Sequence, residues 1–187
     1  KLTGVEERIR ELLQGAHILH VDETGMRVGG TRHWLHVART EHLTYYGCHR
    51  KRGAQATDAM GVLPAFLGTM IHDFWAPYFR YRSEHAICNA HLLRELRAIS
   101  ENFRHQWSEA LSALLLEIKT AVDVAKQEGT VLTPEICAAF EERYRRILEA
   151  GEEEAKTPGV PEEPGKRGRK KQSKAKNLLD RCRNYQH

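Results

Sequence analysis

The stretch that decides the fold reads HILHVDET over residues 17–24, where a short, largely apolar segment leads into Asp22. A second stretch of the same kind, GTMIHDFW over residues 68–75, leads into Asp73. Each pattern predicts a short strand that ends at its aspartate. The two carboxylates would come together if the first and fourth strands were adjacent and parallel. They would then repel each other unless a cation lay between them.

The surrounding sequence predicts strands first and helices later. Residues 33–40 and 43–49 are rich in β-branched and aromatic side chains and predict two more strands, and residues 85–89 predict a fifth. Apolar residues at helical spacing predict helices over 5–14, 54–66, 91–103, 108–127, 134–149 and 173–185. The order of these elements indicates an α/β protein in the broad sense, one that contains both helices and strands. Because strands come first and helices later, it is of the α+β type.

Composition excludes several classes of protein. The chain has 187 residues, of which 41% are hydrophobic and 29% charged, as in ordinary globular proteins. It contains no apolar stretch long enough for a membrane helix and no signal-peptide pattern. Four irregularly spaced cysteines favour a reducing, cytoplasmic setting. Residues 165–187 hold nine Lys or Arg against one Asp, so affinity for polyanions is expected near the C-terminus.

The paired aspartates suit a hard divalent cation, Mg²⁺ or Mn²⁺, and a two-ion site suits in-line displacement at phosphorus. The alternative is that each aspartate only caps the turn that follows its strand. Cys88 and His91 form a Cys-x-x-His pair, but no second pair at zinc-ligand spacing accompanies it, so we expect no zinc.

Five ordered motifs carry a resemblance to a known family. They are VDETG (21–25), HWLHV (33–37), KRG (51–53), HDxWxPY (72–78) and CNAHLLREL (88–96). Further matches are KRGR (166–169), QSKA (172–175) and NLLDR (177–181). Together they closely resemble the bacterial transposases of insertion-sequence family sixty-six over nearly the whole chain.

The resemblance implies a ribonuclease-H-like fold, in which a mixed five-stranded sheet has helices on both faces and a mainly helical insertion follows. It also implies an Asp-Asp-Glu triad that binds metal, with Asp22 as the first member and Asp73 as the second. The family's third member lies in an Asn-Asn-x-x-Glu-Arg-like segment, which we expect beyond His187 in a longer chain that is truncated here at both ends. Glu109, with 35 residues between it and Asp73, and Glu95 are alternative third ligands.

Composition and the resemblance together predict five segments. These are the tail of a preceding helix (1–15), the catalytic core without its final helix (16–103), a helical insertion (104–150), a flexible linker that is acidic and then basic (151–172), and the start of a further helix (173–187).

Basic residues near the aspartates and in the linker are candidates for contact with DNA phosphates. They are Arg50, Lys51, Arg52, His91, Arg94, Lys166, Arg167, Arg169, Lys170 and Lys171. Trp75 and Tyr78, just beyond Asp73, are candidates for stacking on a base or for covering the core.

The function that follows from the resemblance is transposition of an insertion element by metal-dependent cleavage and transfer of DNA strands, with two ions in the complete enzyme. The expected partners are the transposon ends, the target DNA and further copies of the chain, in the bacterial cytoplasm at the nucleoid. No membrane and no small-molecule cofactor are expected. Two alternatives remain, a catalytically dead DNA-binding remnant and a nuclease of the same fold without strand transfer.

Overall fold

The structure, a computed structural model, describes residues 3–156 and 172–185. The chain forms two compact units, Lys1–Cys88 and Asn89–His187. The first unit holds the sheet and both aspartates, and the helices of the second unit follow it in the chain.

The first unit is built on one five-stranded sheet. Its strands are β1 (Ile18–Val28), β2 (Thr31–Arg39), β3 (Thr44–His49), β4 (Thr69–His72) and β5 (Glu84–Ile87). They lie in the order β3-β2-β1-β4-β5. Strand β2 is antiparallel to both β1 and β3, whereas β4 is parallel to both β1 and β5. This mixed sheet confirms the predicted α+β, ribonuclease-H-like fold, including the parallel pairing of the first and fourth strands.

One face of this sheet is buried. Leu19 and Val21 on β1 and Met70 on β4 are at most 6% exposed, whereas Ile18, on the alternate face, is 51% exposed. Helix α1 (Thr3–Gln14) adds Leu13 to the core. The other members of this core are Ala38, Met60, Val62, Leu63, Phe66, Tyr78 and Tyr81.

Just before β4 begins, the backbone at Gly68 lies very close to the backbone that precedes β1. A Cβ atom at this position would lie 2.5 Å from the carbonyl oxygen of His17 and 2.7 Å from that of Ala16. The next residue, Thr69, donates its N–H to the carbonyl of His17 over 2.9 Å. Because only glycine permits this approach, Gly68 determines where the parallel pairing begins.

The largest differences from the predicted bounds in the first unit occur at two places. Strand β1 does not end at Asp22 but continues to Val28, because β2 pairs with it as far as Thr31. The predicted helix over residues 54–66 is interrupted. Helix α2 covers Ala54–Ala59, and a short 3-10 turn at Leu63–Ala65 follows Gly61, whose φ is +73°.

The second unit is helical over its described residues. Its helices are α3 (Asn89–Phe103), α4 (Gln106–Gln127), α5 (Pro134–Lys156) and α6 (Lys174–Asn184). Helix α5 continues six residues into the stretch that composition predicts to be a linker from residue 151. The reason is packing at Gly151, where an added Cβ would lie 2.9 Å from atoms of both Trp107 and Leu179. The other domain bounds stay predictions.

A substitution at Gly68 tests the close approach. We expect Gly68→Ala to lower the free energy of unfolding by about 1–3 kcal/mol, because two backbone carbonyls must move to admit the methyl group. The matched control is Gly4→Ala in helix α1, where nothing lies within 4 Å of the new Cβ. The control should be neutral or stabilise by up to about 1 kcal/mol. Equal urea midpoints for the two variants would contradict the close approach.

Candidate active site

Parallel pairing brings the two predicted aspartates level with each other. The paired positions are Ile18 with Thr69, Leu19 with Met70 and His20 with Ile71. Continuing this register by two residues along each strand puts Asp22 of β1 opposite Asp73, the first residue after β4. Both aspartates are half-buried.

Local hydrogen bonds orient each carboxylate. Asp22 accepts the N–H of Glu23 on Oδ1 over 2.8 Å, and Asp73 accepts the N–H of Trp75 on Oδ1 over 3.2 Å. Between Asp73 and Trp75 the chain passes through Phe74 in the left-handed region, with φ at +57°. A non-glycine residue costs free energy there, so the surrounding packing holds this turn in place.

A third carboxylate, which the sequence analysis missed, is buried beside this pair. The side chain of Glu23 is only 1% exposed. Its Oε1 accepts hydrogen bonds from Arg52 over 2.6 and 2.9 Å, and its Oε2 accepts one from the Tyr78 hydroxyl over 2.6 Å. Burial raises the pKa of Glu23, and the charge of Asp73 adds to the rise, while Tyr78 and Arg52 oppose it. The sequence did contain a signal for this carboxylate. Because side chains alternate along a strand, Glu23 points to the face opposite to Asp22.

The negative charges of this region act on the hydroxyl group of Tyr78. Burial raises the pKa of this hydroxyl far above its usual value, and the charges of Glu23, Asp73 and Asp22 raise it further. Both aspartates therefore add negative potential at one phenol. His72, just before Asp73, supplies no positive charge at neutral pH, because burial and His85 lower its pKa to about 4.

Arg52, predicted to contact DNA, lies between two indoles. Its guanidinium carbon is 4.9 Å from the ring centroid of Trp34 and 4.6 Å from that of Trp75. Because the same guanidinium pairs with Glu23, its first role here is to neutralise a buried carboxylate. Tyr78 is 1% exposed and belongs to the core, so it covers the core and does not offer a face to a base. Arg50 and Lys51 are exposed.

The remaining candidates lie in the second unit or outside the described residues. On α3, His91 is half-buried and Arg94 is exposed. Glu95 forms an ion pair with Arg181 of α6, and Glu109 of α4 accepts a hydrogen bond from Ser100 over 2.5 Å. Both alternative third ligands thus make contacts within the helical unit. The basic residues of the predicted linker lie outside the described residues: Lys166, Arg167, Arg169, Lys170 and Lys171.

The donor set at the sheet consists of carboxylate oxygens, which suit Mg²⁺ or Mn²⁺. Among residues 3–156 and 172–185, no group of three or more His, Cys, Asp or Glu side chains is arranged to hold a metal ion. Separately, none of the described helices is both long and apolar enough to span a bilayer.

A double-mutant cycle tests the role of Arg52. Arg52→Ala leaves the buried Glu23 carboxylate with Tyr78 alone, so we expect the free energy of unfolding to fall by about 1–3 kcal/mol. In a Glu23→Gln background the same change should cost at least about 1 kcal/mol less, because no buried charge is left unpaired. Lys51→Ala, at the exposed neighbouring position, should stay within about 0.5 kcal/mol of the parent chain. Equal costs of Arg52→Ala in the two backgrounds would rule out the proposed charge compensation.

Comparison with known proteins identifies the family of the chain. A family model described as the Transposase IS66 family matches residues 1–187, the whole chain. The search of curated proteins returned no significant match, and the search of solved structures returned none. Because the match includes both aspartates and the entire sheet, the chain belongs to the transposase IS66 family.

Proposed function

We propose that Asp22 and Asp73 together bind Mg²⁺ or Mn²⁺, and that the chain cuts DNA strands and transfers them when an insertion element moves. The observation that carries this proposal is the β1–β4 register, which brings the two carboxylates level at one point of the sheet. Membership of a transposase family supports DNA as the substrate.

The site's own chemistry supports a hard cation. Asp22 and Asp73 are half-buried, whereas the side chain of Glu23 is 1% exposed and paired with Arg52. We therefore assign the ion to the two aspartates and a structural role to Glu23. When bound, the ion supplies Lewis-acid chemistry, which polarises a phosphoryl oxygen and stabilises charge on the leaving group.

The protein's part is to hold the ligands and the DNA in place. The N–H groups of Glu23 and Trp75 orient one oxygen of each aspartate, which limits reorganisation when an ion and a phosphodiester arrive. Arg50 and Lys51 are exposed close in sequence to Arg52 and would neutralise DNA phosphates there. We assign the same role to His91, Arg94 and the basic residues of 166–171.

Several finer points stay predictions. They are a second ion, a third acidic ligand, self-association during strand transfer, and action on the DNA of the nucleoid. The two alternatives differ from the main proposal in what DNA products they give. A DNA-binding remnant leaves DNA intact, and a nuclease nicks it without joining a 3′ end to the target.

Metal-dependent stability tests the shared site. Mn²⁺ at about 100 times its dissociation constant should stabilise the chain by about 2.7 kcal/mol and raise its Tm. Asp22→Asn and Asp73→Asn should each abolish this shift, while the metal-free variants melt no lower than the parent because a carboxylate repulsion is removed. Asp123→Asn, in helix α4, is the control and should keep the full shift. A shift that survives either active-site substitution would overturn the shared site.

DNA products test the chemistry. We expect the enzyme with its complete Asp-Asp-Glu triad and Mn²⁺ to nick supercoiled plasmid and to join labelled 3′ ends to it, and Asp22→Asn and Asp73→Asn to do neither. Nicking without joining would reduce the proposal to a nuclease. DNA binding with no nicking, in a chain that shows the Mn²⁺ shift, would favour the non-catalytic alternative.

A further inference from the structure

Two strands of the sheet continue beyond their neighbours as an arm. Strand β3 pairs with β2 only as far as Trp34, and β4 pairs with β1 only up to His20. The β1–β2 arm, residues 26–33, therefore has no third strand beside it. Its tip is the pair Gly29 and Gly30, with φ at +55° and +78°, as a tight two-residue hairpin turn requires.

Two arginines face each other on this arm. Arg27 and Arg32 are directly opposite in the antiparallel register, so their side chains leave the same face. Like charges in this position destabilise a hairpin. Neither arginine forms an ion pair with a carboxylate of the described chain, although Arg27 donates to the carbonyl of Gly30 over 3.2 Å. From residue 24 to residue 40 the sequence contains no Asp or Glu. The arm therefore carries a local excess of positive charge that an anion would relieve.

The arm is connected to the candidate active site by stacked side chains. The guanidinium of Arg32 lies 4.7 Å from the ring centroid of Trp34, whose ring also contacts Arg52. Arg52 in turn contacts Trp75, two residues beyond Asp73. Within this stack Arg52 is neutralised by a carboxylate and Arg32 is not. The stack thus orients one cation, Arg32, while its charge remains available.

The chemistry of the arm suits the backbone of double-stranded DNA. Arg27 lies five residues beyond Asp22 on one continuous strand, so alternation puts it on the face of β1 that carries Glu23 and not on the face of Asp22. Guanidinium groups pair with phosphates through two parallel hydrogen bonds, and a two-stranded ribbon fits the major groove.

We propose that the β1–β2 arm is a phosphate-binding element for double-stranded DNA, in which Arg27 and Arg32 bind backbone phosphates on the strand face opposite to Asp22. The choice of DNA as the ligand rests on the proposed function. The contact with duplex DNA does not depend on catalysis.

Salt-dependent binding tests the arm. Fluorescence anisotropy would give the dissociation constant of the full chain for a labelled 30-base-pair duplex, over about 50–300 mM KCl. We expect Arg27→Gln/Arg32→Gln to weaken binding and to reduce the slope of log affinity against log salt by about 2, since each phosphate contact releases roughly one counterion. The matched control is Arg39→Gln/Arg82→Gln. It removes the same charge from exposed positions of the first unit at the other end of β2 and just before β5. The control should keep the parent slope.

The outcomes of these measurements distinguish a failure of this inference from a failure of the proposed function. Asp22→Asn/Asp73→Asn should bind the duplex with the parent slope, because the arm is intact. If the parent chain does not bind duplex DNA at all, the proposed function fails. If the parent binds but the arm variant and the control variant show the same reduction in the slope of log affinity against log salt, the arm inference fails. The proposed function then stands. The arm variant should melt at or above the Tm of the parent, because an unfavourable charge pair is gone.

Discussion

The parallel pairing of β1 with β4 is the contact on which the candidate site depends. It begins at Gly68, where two backbones approach too closely for any side chain, and it lasts three residue pairs. Two steps later it has brought Asp22 and Asp73 level, although 50 residues separate them in the chain. A shift of one residue in this register would move one aspartate to the opposite face of the sheet. The site therefore tolerates no slip between these strands.

Much of this arrangement was predictable from sequence because its signals are local. Apolar and β-branched segments marked five strands, and two of them led into an aspartate. The length of β1 was not predictable, because Gly25, Gly29 and Gly30 are typical of a loop and only pairing with β2 makes them part of a ribbon. The role of Glu23 escaped prediction for a similar reason. Its partners, Arg52 and Tyr78, come from segments that meet only in the fold.

The three carboxylates of the candidate site have two different roles. Glu23 is buried and neutralised by Arg52, which ties β1 to the indoles of Trp34 and Trp75. This ion pair and the two stacked indoles support the strand that carries Asp22 and the turn that follows Asp73. The two aspartates are half-buried. In our proposal they bind the metal ion, and Glu23 with Arg52 supports the strand and the turn that carry them.

The central claim, that one ion contacts both aspartates, is tested most directly by backbone cleavage with Fe²⁺. Fe²⁺ placed at an oxygen site generates hydroxyl radicals in the presence of ascorbate and peroxide, and these cut the chain next to the ion. Mass spectrometry of the fragments should find cuts beside both Asp22 and Asp73, both suppressed by excess Mg²⁺ and both lost when either residue is changed to Asn. Cuts beside only one aspartate, or a cut that persists beside one after the other is replaced, would contradict a shared site.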